Sequence, residues 1–302
     1  MAATSAVVEP GAVTSTADHD AARQTRRRPP RGRLLWLRVA AAVVVSLIML
    51  FPLVVMVLTA FAPQTDLYRP GLHLWPSHWI LSNFTDPFHL FPVALWFRNS
   101  AFITAAVTVI TVVCNLLAGY AFAKLKFRGN NILFLLLIST MMVPVQAIMV
   151  AQFKIAIHLH LYGSYWSVIL PESATVFGIF LARQFFLAIP DELLDAARCD
   201  GASQLRIFWS VVLPLAKPMI AVLTLLTALS EWNAFSWPLI ALFGDDSKFT
   251  VMLGMTTDLQ GEYTSNYGDL MAMNLLMIAP MVIMFLAFQR FFVQGLARTG
   301  IK

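Results

Sequence analysis

The sequence predicts an all-α membrane protein with six transmembrane helices, and three observations carry that prediction. Hydrophobic residues make up 59% of the 302 residues and charged ones only 12%, against roughly 25% charged in an ordinary soluble domain. The mean hydropathy is +0.72, and so little charge cannot cover a globular surface of this size in water. Six apolar stretches reach about 20 residues, the length a helix needs to cross a hydrocarbon core about 30 Å thick. These runs are continuous, whereas barrel strands are short and alternate. A soluble enzyme, a disordered chain and a disulfide scaffold are excluded on the same grounds, the last also because Cys114 and Cys199 are too few.

Residues 1–33 are rich in Ala, Thr, Ser and Pro and end in TRRRPPRGR. They have no apolar face to bury and are predicted to be a disordered basic tail, separate from a transmembrane domain over 34–302 with its core at 97–292. The spans follow at Leu34–Phe61, Phe97–Ala123, Ile132–Phe153, Trp166–Leu187, Pro218–Phe243 and Leu270–Phe292. The first run is too long for the apolar part of a cleaved signal and no small-residue cleavage site follows it, which reads as an uncleaved signal-anchor. A twin-arginine signal is the alternative.

Direction follows from the basic residues, which collect in cytoplasmic loops. With the N-terminus inside, seven of the 21 fall in the tail and the start of the first span. Three follow the second span, four follow the fourth span with its edges, and three lie at the C-terminal end. Only Arg69, Arg98, Lys154 and Lys248 remain outside. The chain is therefore expected N-in and C-in, and its net charge of +5 is a topology signal that needs no nucleic acid.

Little in the spans carries chemistry. His158 and His160 form an HxH without a third ligand near it, and Cys114 and Cys199 lack metal-ligand spacing. No GxxxxGK[ST] phosphate loop occurs, so a nucleotide would be bound by another chain.

Residues 189–217, IPDELLDAARCDGASQLRIFWSVVLPLAK, are long and polar. Pro190 suits a first helical position, and Asp191 and Glu192 favour the positive end of a helix dipole. Gly201 suits a stop with φ > 0, and Ser203 an N-cap for a second helix over Gln204–Leu213, ended by Pro214. Two short helices joined at a glycine are expected, either packing on their own span ends or meeting a partner.

The spacing Asp195-Ala196-Ala197, three residues, Gly201, nine residues, Val211, one residue, Leu213-Pro214 reproduces EAA-x3-G-x9-I-x-L-P. It resembles the signature loop of permease subunits in binding-protein-dependent ABC importers. YAFAKLKFRG at 120–129, MMVP at 141–144, FLARQFFLAIPDELLDAARCDGAS at 180–203, WNAFSWPLI at 232–240 and GLARTGIK at 295–302 resemble its carbohydrate branch, the maltose-permease type. Asp195 stands for the usual Glu and Val211 for Ile, both keeping the chemistry. The resemblance implies the type I ABC importer permease fold in the cytoplasmic membrane of a bacterium. It implies a coupling helix on which Asp195 pairs with a basic group of an ATPase. Ala196 and Ala197 allow close approach, Gly201 makes the bend, and Leu213-Pro214 closes the motif. The implied partners are a second homologous permease, two ABC ATPase subunits, an extracytoplasmic solute-binding protein, a sugar and membrane lipid. No cofactor is expected in this chain, ATP and magnesium being held by the ATPase, and no catalytic residue: the chain is not expected to be an enzyme.

Charges inside a bilayer cost at least ~2.5–3.5 kcal/mol each and usually face a partner or a water path. Glu172 follows Pro171 in the fourth span, and Glu231 sits in the fifth beside Trp232 and Asn233. Carboxyl, amide and flat apolar faces together suit a sugar, so these four residues are candidates for the substrate path. Equally, the same groups serve to hold helices together. The outer loops 62–96 and 244–268 carry Asp66, Asp86, Asp245, Asp246, Asp258, Glu262, Trp75, Trp79 and Tyr263, a candidate docking face or ordinary solvated surface. A permease for another solute such as glycerol phosphate, an ion-driven secondary transporter and a membrane-embedded transferase are the competing readings.

Overall fold

The computed structural model describes residues 31–69, 75–259 and 266–299. Most of the predicted disordered tail, Glu262, Tyr263 and the end of GLARTGIK lie outside them. Up to Val54 the chain forms one unit, and Val55–Lys302 forms another. In the first, the described residues are the opening of α1 (Arg31–Ala60), which starts three residues before the predicted span and carries Pro52 within it.

The second unit is built on α3 (Val93–Lys124). Its buried positions, among them Asn99, Ile103, Val107, Thr111, Asn115, Leu116, Gly119 and Tyr120, recur every three to four residues and form one stripe. The stripe packs against α7 (Val176–Leu187) and α10 (Lys217–Trp232), and α10 in turn against α13 (Tyr267–Thr299). Small residues set the α3–α7 approach: a Cβ on Gly119 would stand 2.5 Å from Ala182 Cβ and 2.9 Å from Arg183 N. One cluster of buried side chains, with Trp96, Trp232, Trp237, Leu253 and Met273, fills one end of the unit. A second, with Tyr120, Phe186, Leu194, Ile207, Phe208 and Met219, fills the other.

Among the described residues three helices are long and apolar enough to cross a bilayer alone: Leu35–Ala60, Val93–Lys124 and Tyr267–Gln289. The other predicted spans are interrupted, each at a proline or a polar turn. The third bends by 102° between Asn130–Met142, which opens with α4 (Asn130–Ser139), and α5 (Val145–His158). There Pro144 pushes Val143 into extended backbone. The fifth ends at Trp232 and resumes only as α11 (Ser236–Ala241).

The fourth predicted span, Trp166–Leu187, is not one helix. It comprises α6 (Tyr165–Ile169), a non-helical stretch at 170–175, and α7. Pro171 lacks the N–H that would bond the Ser167 carbonyl, and Trp237 Nε1 donates to that carbonyl instead (3.0 Å). Thr111 Oγ1 donates to the Glu172 carbonyl (2.6 Å). Asn115 Oδ1 accepts from Thr175 N (3.1 Å), and its Nδ2 donates to Thr175 Oγ1 (2.9 Å), which caps α7 by accepting from Gly178 N. Irregular backbone within an apolar segment persists where protein satisfies it, and here α3 does so.

Candidate functional site

The signature loop folds as two short helices. In α8 (Asp191–Cys199) Pro190 precedes the first turn, and Gly201 follows at φ 78°, a conformation that glycine reaches at least cost. Ser203 Oγ accepts from Arg206 N (3.3 Å) and caps α9 (Gln204–Leu215). The predicted stop at Pro214 is overturned: the helix runs through Pro214 to Leu215. A π-turn at Phe208–Val212 inserts the residue that relieves the clash between the Pro214 ring and the preceding turn. The chain then bends by 80° into α10.

Beneath this pair Leu194, Ile207, Phe208 and Val212 are buried, while Asp195, Ala196 and Gly201 are exposed and Ala197 and Leu213 half-buried; Pro214 is exposed. The loop is thus anchored by its apolar residues and presents the motif residues outward. Asp195 pairs with Arg198 one turn on (2.5 Å).

Two tethers were not foreseen from the sequence. Lys124, the last residue of α3, has a side chain only 6% exposed, and its Nζ donates to the Ile189 carbonyl and to Asp191 Oδ1, both at 2.6 Å. The Lys124 bond and charge hold the Asp191 carboxyl below its usual range. Arg183 lies over the Phe134 ring, 4.0 Å from its centroid, and its Nε donates to the Phe122 carbonyl. Beside them a cleft of about 900 Å³ is lined by the ends of α3, α4, α7 and α8.

Among the path candidates Glu231 is 7% exposed, its Oε1 without a hydrogen-bond partner among the described residues, and within electrostatic reach of Glu172 in the broken stretch. Trp232 is buried and donates from Nε1 to the Met277 carbonyl of α13 (3.0 Å). Asn233 is exposed and donates to the Leu229 carbonyl at the end of α10 (2.7 Å). The structure therefore buries Glu231, leaves Glu172 in the broken stretch within electrostatic reach of it, and sets Trp232 into helix packing.

Of the outer-loop acids, Asp66 is buried rather than on a docking face. Its Oδ2 accepts from Ser77 N (2.7 Å), which holds the carboxyl below its usual range and fixes the turn. Asp245 pairs with Lys248, whose Nζ also donates to the Gly163 carbonyl. Asn99 donates to the carbonyls of Ser247 and Phe249, so α3 orders that loop.

Residues 115–298 match the model of the binding-protein-dependent transport system inner membrane component family. The arabinooligosaccharides transport system permease protein AraQ of Halalkalibacterium halodurans is 38% identical over 275 residues, covering 89% of this chain and 97% of that protein. The protein of the same name from Bacillus subtilis is 37% identical, covering 85% and 92%. The sn-glycerol-3-phosphate transport system permease protein UgpE of Yersinia pestis is 34% identical, covering 83% and 91%. A chain in the crystal structure of a bacterial ABC transporter involved in the import of alginate superposes with a TM-score of 0.77 at 23% identity, over 88% of this chain and 99% of that one, and shares the fold. The chain belongs to the family of binding-protein-dependent transport system inner membrane components.

Proposed function

We propose that this chain is a permease subunit of an ATP-driven importer of a sugar or oligosaccharide, crossing the membrane six times with both termini inside. The observation that carries the proposal is the loop 189–217, whose apolar residues are buried in the bundle end while Asp195, Ala196 and Gly201 are exposed. Its partners would be a second permease, two ABC ATPase subunits that hold ATP and magnesium, and an extracytoplasmic binding protein.

In this reading α8 seats on the ATPase, with Ala196 and Ala197 permitting close approach and Asp195 exchanging Arg198 for a base on that subunit. An exposed pair such as Asp195–Arg198 contributes little, so the exchange costs little. Gly201 sets the angle between the two short helices, and the 80° bend after Leu215 leads α9 into α10. Movement of α8 reaches α7 through Ile189, α10 through α9, and α3 through Lys124. Nucleotide and loaded binding protein each favour one state of the bundle, which links hydrolysis to passage. Glu172 and Glu231 would accept hydroxyl donors along the path, with Asn233 beside them and Trp232 as backing. Two carboxyls within reach of one another suit a neutral polyol better than a phosphate ester, which favours the sugar reading over glycerol phosphate. The names of two relatives, arabinooligosaccharide permeases, support the same reading.

The test is gentle detergent purification with native partners, followed by ATPase assay with and without Asp195→Arg. Co-purification of an ATPase and a second permease, lost on charge reversal, is expected. A chain that purifies alone and is indifferent to the substitution overturns the proposal.

A further inference from the structure

The cleft of about 900 Å³ beside α8 carries three cations, Lys126, Arg128 and Arg183, that the transport reading does not use. Its lining includes the last residues of α3, a helix long and apolar enough to span, so the cleft lies at one end of a candidate membrane helix. Both acids on its wall are engaged: Asp191 by Lys124, and Asp195 by Arg198. Lys126 and Arg128 are exposed on its rim, with no ion pair among the described residues, and Arg183 lines it with part of its guanidinium uncommitted.

The cleft is therefore cationic, and its surroundings are apolar in one direction. Phe122, Phe127 and Leu187 share its lining. From Asn130 and Asn131 at its edge, α4 leads away with Ile132 67%, Leu135 69% and Leu136 58% exposed. A cationic pocket continued by an apolar track matches a molecule with an anionic head and long chains. A nucleotide or acidic peptide would leave the track uncovered. Basic pockets between helix ends bind anionic headgroups in this way.

We propose that this cleft binds the headgroup of an anionic phospholipid, its phosphate among Lys126, Arg128 and Arg183 and its chains along α4. Because α7 and α8 form the opposite wall, the bound lipid would steady the loop that carries Asp195.

The test uses the full chain, with the subunits that accompany it, in bilayers of mixed phosphatidylglycerol and phosphatidylcholine, counting retained lipids by native mass spectrometry. Wild type is expected to retain phosphatidylglycerol. Replacing both rim cations, Lys126→Gln with Arg128→Gln, is expected to weaken retention about thirtyfold, from about fivefold per cation. The swap Lys126→Arg with Arg128→Lys should restore it. If the glutamine variant fails to fold, salt titration of wild type gives the same reading, since retention must fall as ionic strength rises. Equal retention by wild type and the glutamine variant would overturn the proposal. So would displacement of the lipid by soluble glycerol phosphate, or cross-linking of a partner's acidic segment into the cleft.

Discussion

Replacing Lys124 by Met keeps a four-atom unbranched stem, with sulfur for one methylene, and removes the ammonium. The structure separates the two contacts that are lost. The Ile189 carbonyl and the Asp191 carboxylate both lie 2.6 Å from Nζ, but Lys124 is 6% exposed and Asp191 73%. The Asp191 arm is screened by water and contributes little. The bond to Ile189 is a charge-assisted one from a buried group, about 1.5–3 kcal/mol. That corresponds to about 10- to 150-fold in the balance between a held and a released loop. Lys124→Met should therefore destabilise the protein by that amount in detergent titration, raise exchange at the start of α8, and loosen ATP hydrolysis from transport. Asp191→Asn should do far less at neutral pH. Since the folded state depresses the Asp191 pKa below its ordinary value of 3.8, its contribution is complete above 3.8 and is lost as pH falls through the depressed value. An Asp191→Asn effect as large as that of Lys124→Met, or a neutral Lys124→Met, would refute the reasoning.

Gly119→Ala drives a methyl to 2.5 Å from Ala182 Cβ and 2.9 Å from the Arg183 backbone. It should cost about 1–3 kcal/mol by overpacking, with partial rescue by Ala182→Gly because only the side-chain clash is relieved; melting of single and double variants checks both. Asn115→Ala removes the acceptor for Thr175 N and the donor to Thr175 Oγ1. Faster amide exchange confined to the 173–178 region and a loss of about 1–2 kcal/mol are expected, on the scale of intramembrane hydrogen bonds; unchanged exchange there refutes the bracing role.

The long helices were legible because hydropathy over 20 residues is a strong signal, and α3 and α13 follow it. The two-helix loop was legible because Pro190, Gly201 and Ser203 act locally: the glycine takes the left-handed conformation and the serine caps. Hydropathy counts side chains and is blind to backbone pairing, so the break at 170–175 stayed hidden inside an apolar run. The groups that tolerate it, Thr111 and Asn115, lie some 60 residues away in sequence. A trace was present all the same: Thr104, Thr108, Thr111 and Asn115 recur at spacings of three and four along α3, a polar stripe that an isolated span does not need. Lys124 reads in sequence as one more cytoplasmic charge, and only its reach to Ile189 shows that it is a tether.

The divided segment 165–187 also constrains how the protein is made. Twelve helical residues of α7 extend about 18 Å, well short of the about 30 Å that a crossing requires. On leaving the insertion machinery alone, this segment would carry unpaired carbonyl and amide groups into lipid. In a bilayer, the Thr111–Asn115 face of α3 would supply the partners that this broken backbone needs, so the earlier helix would serve as a template for the later segment. A lesion at Asn115 would then reduce the amount of mature protein before it affected any transport cycle.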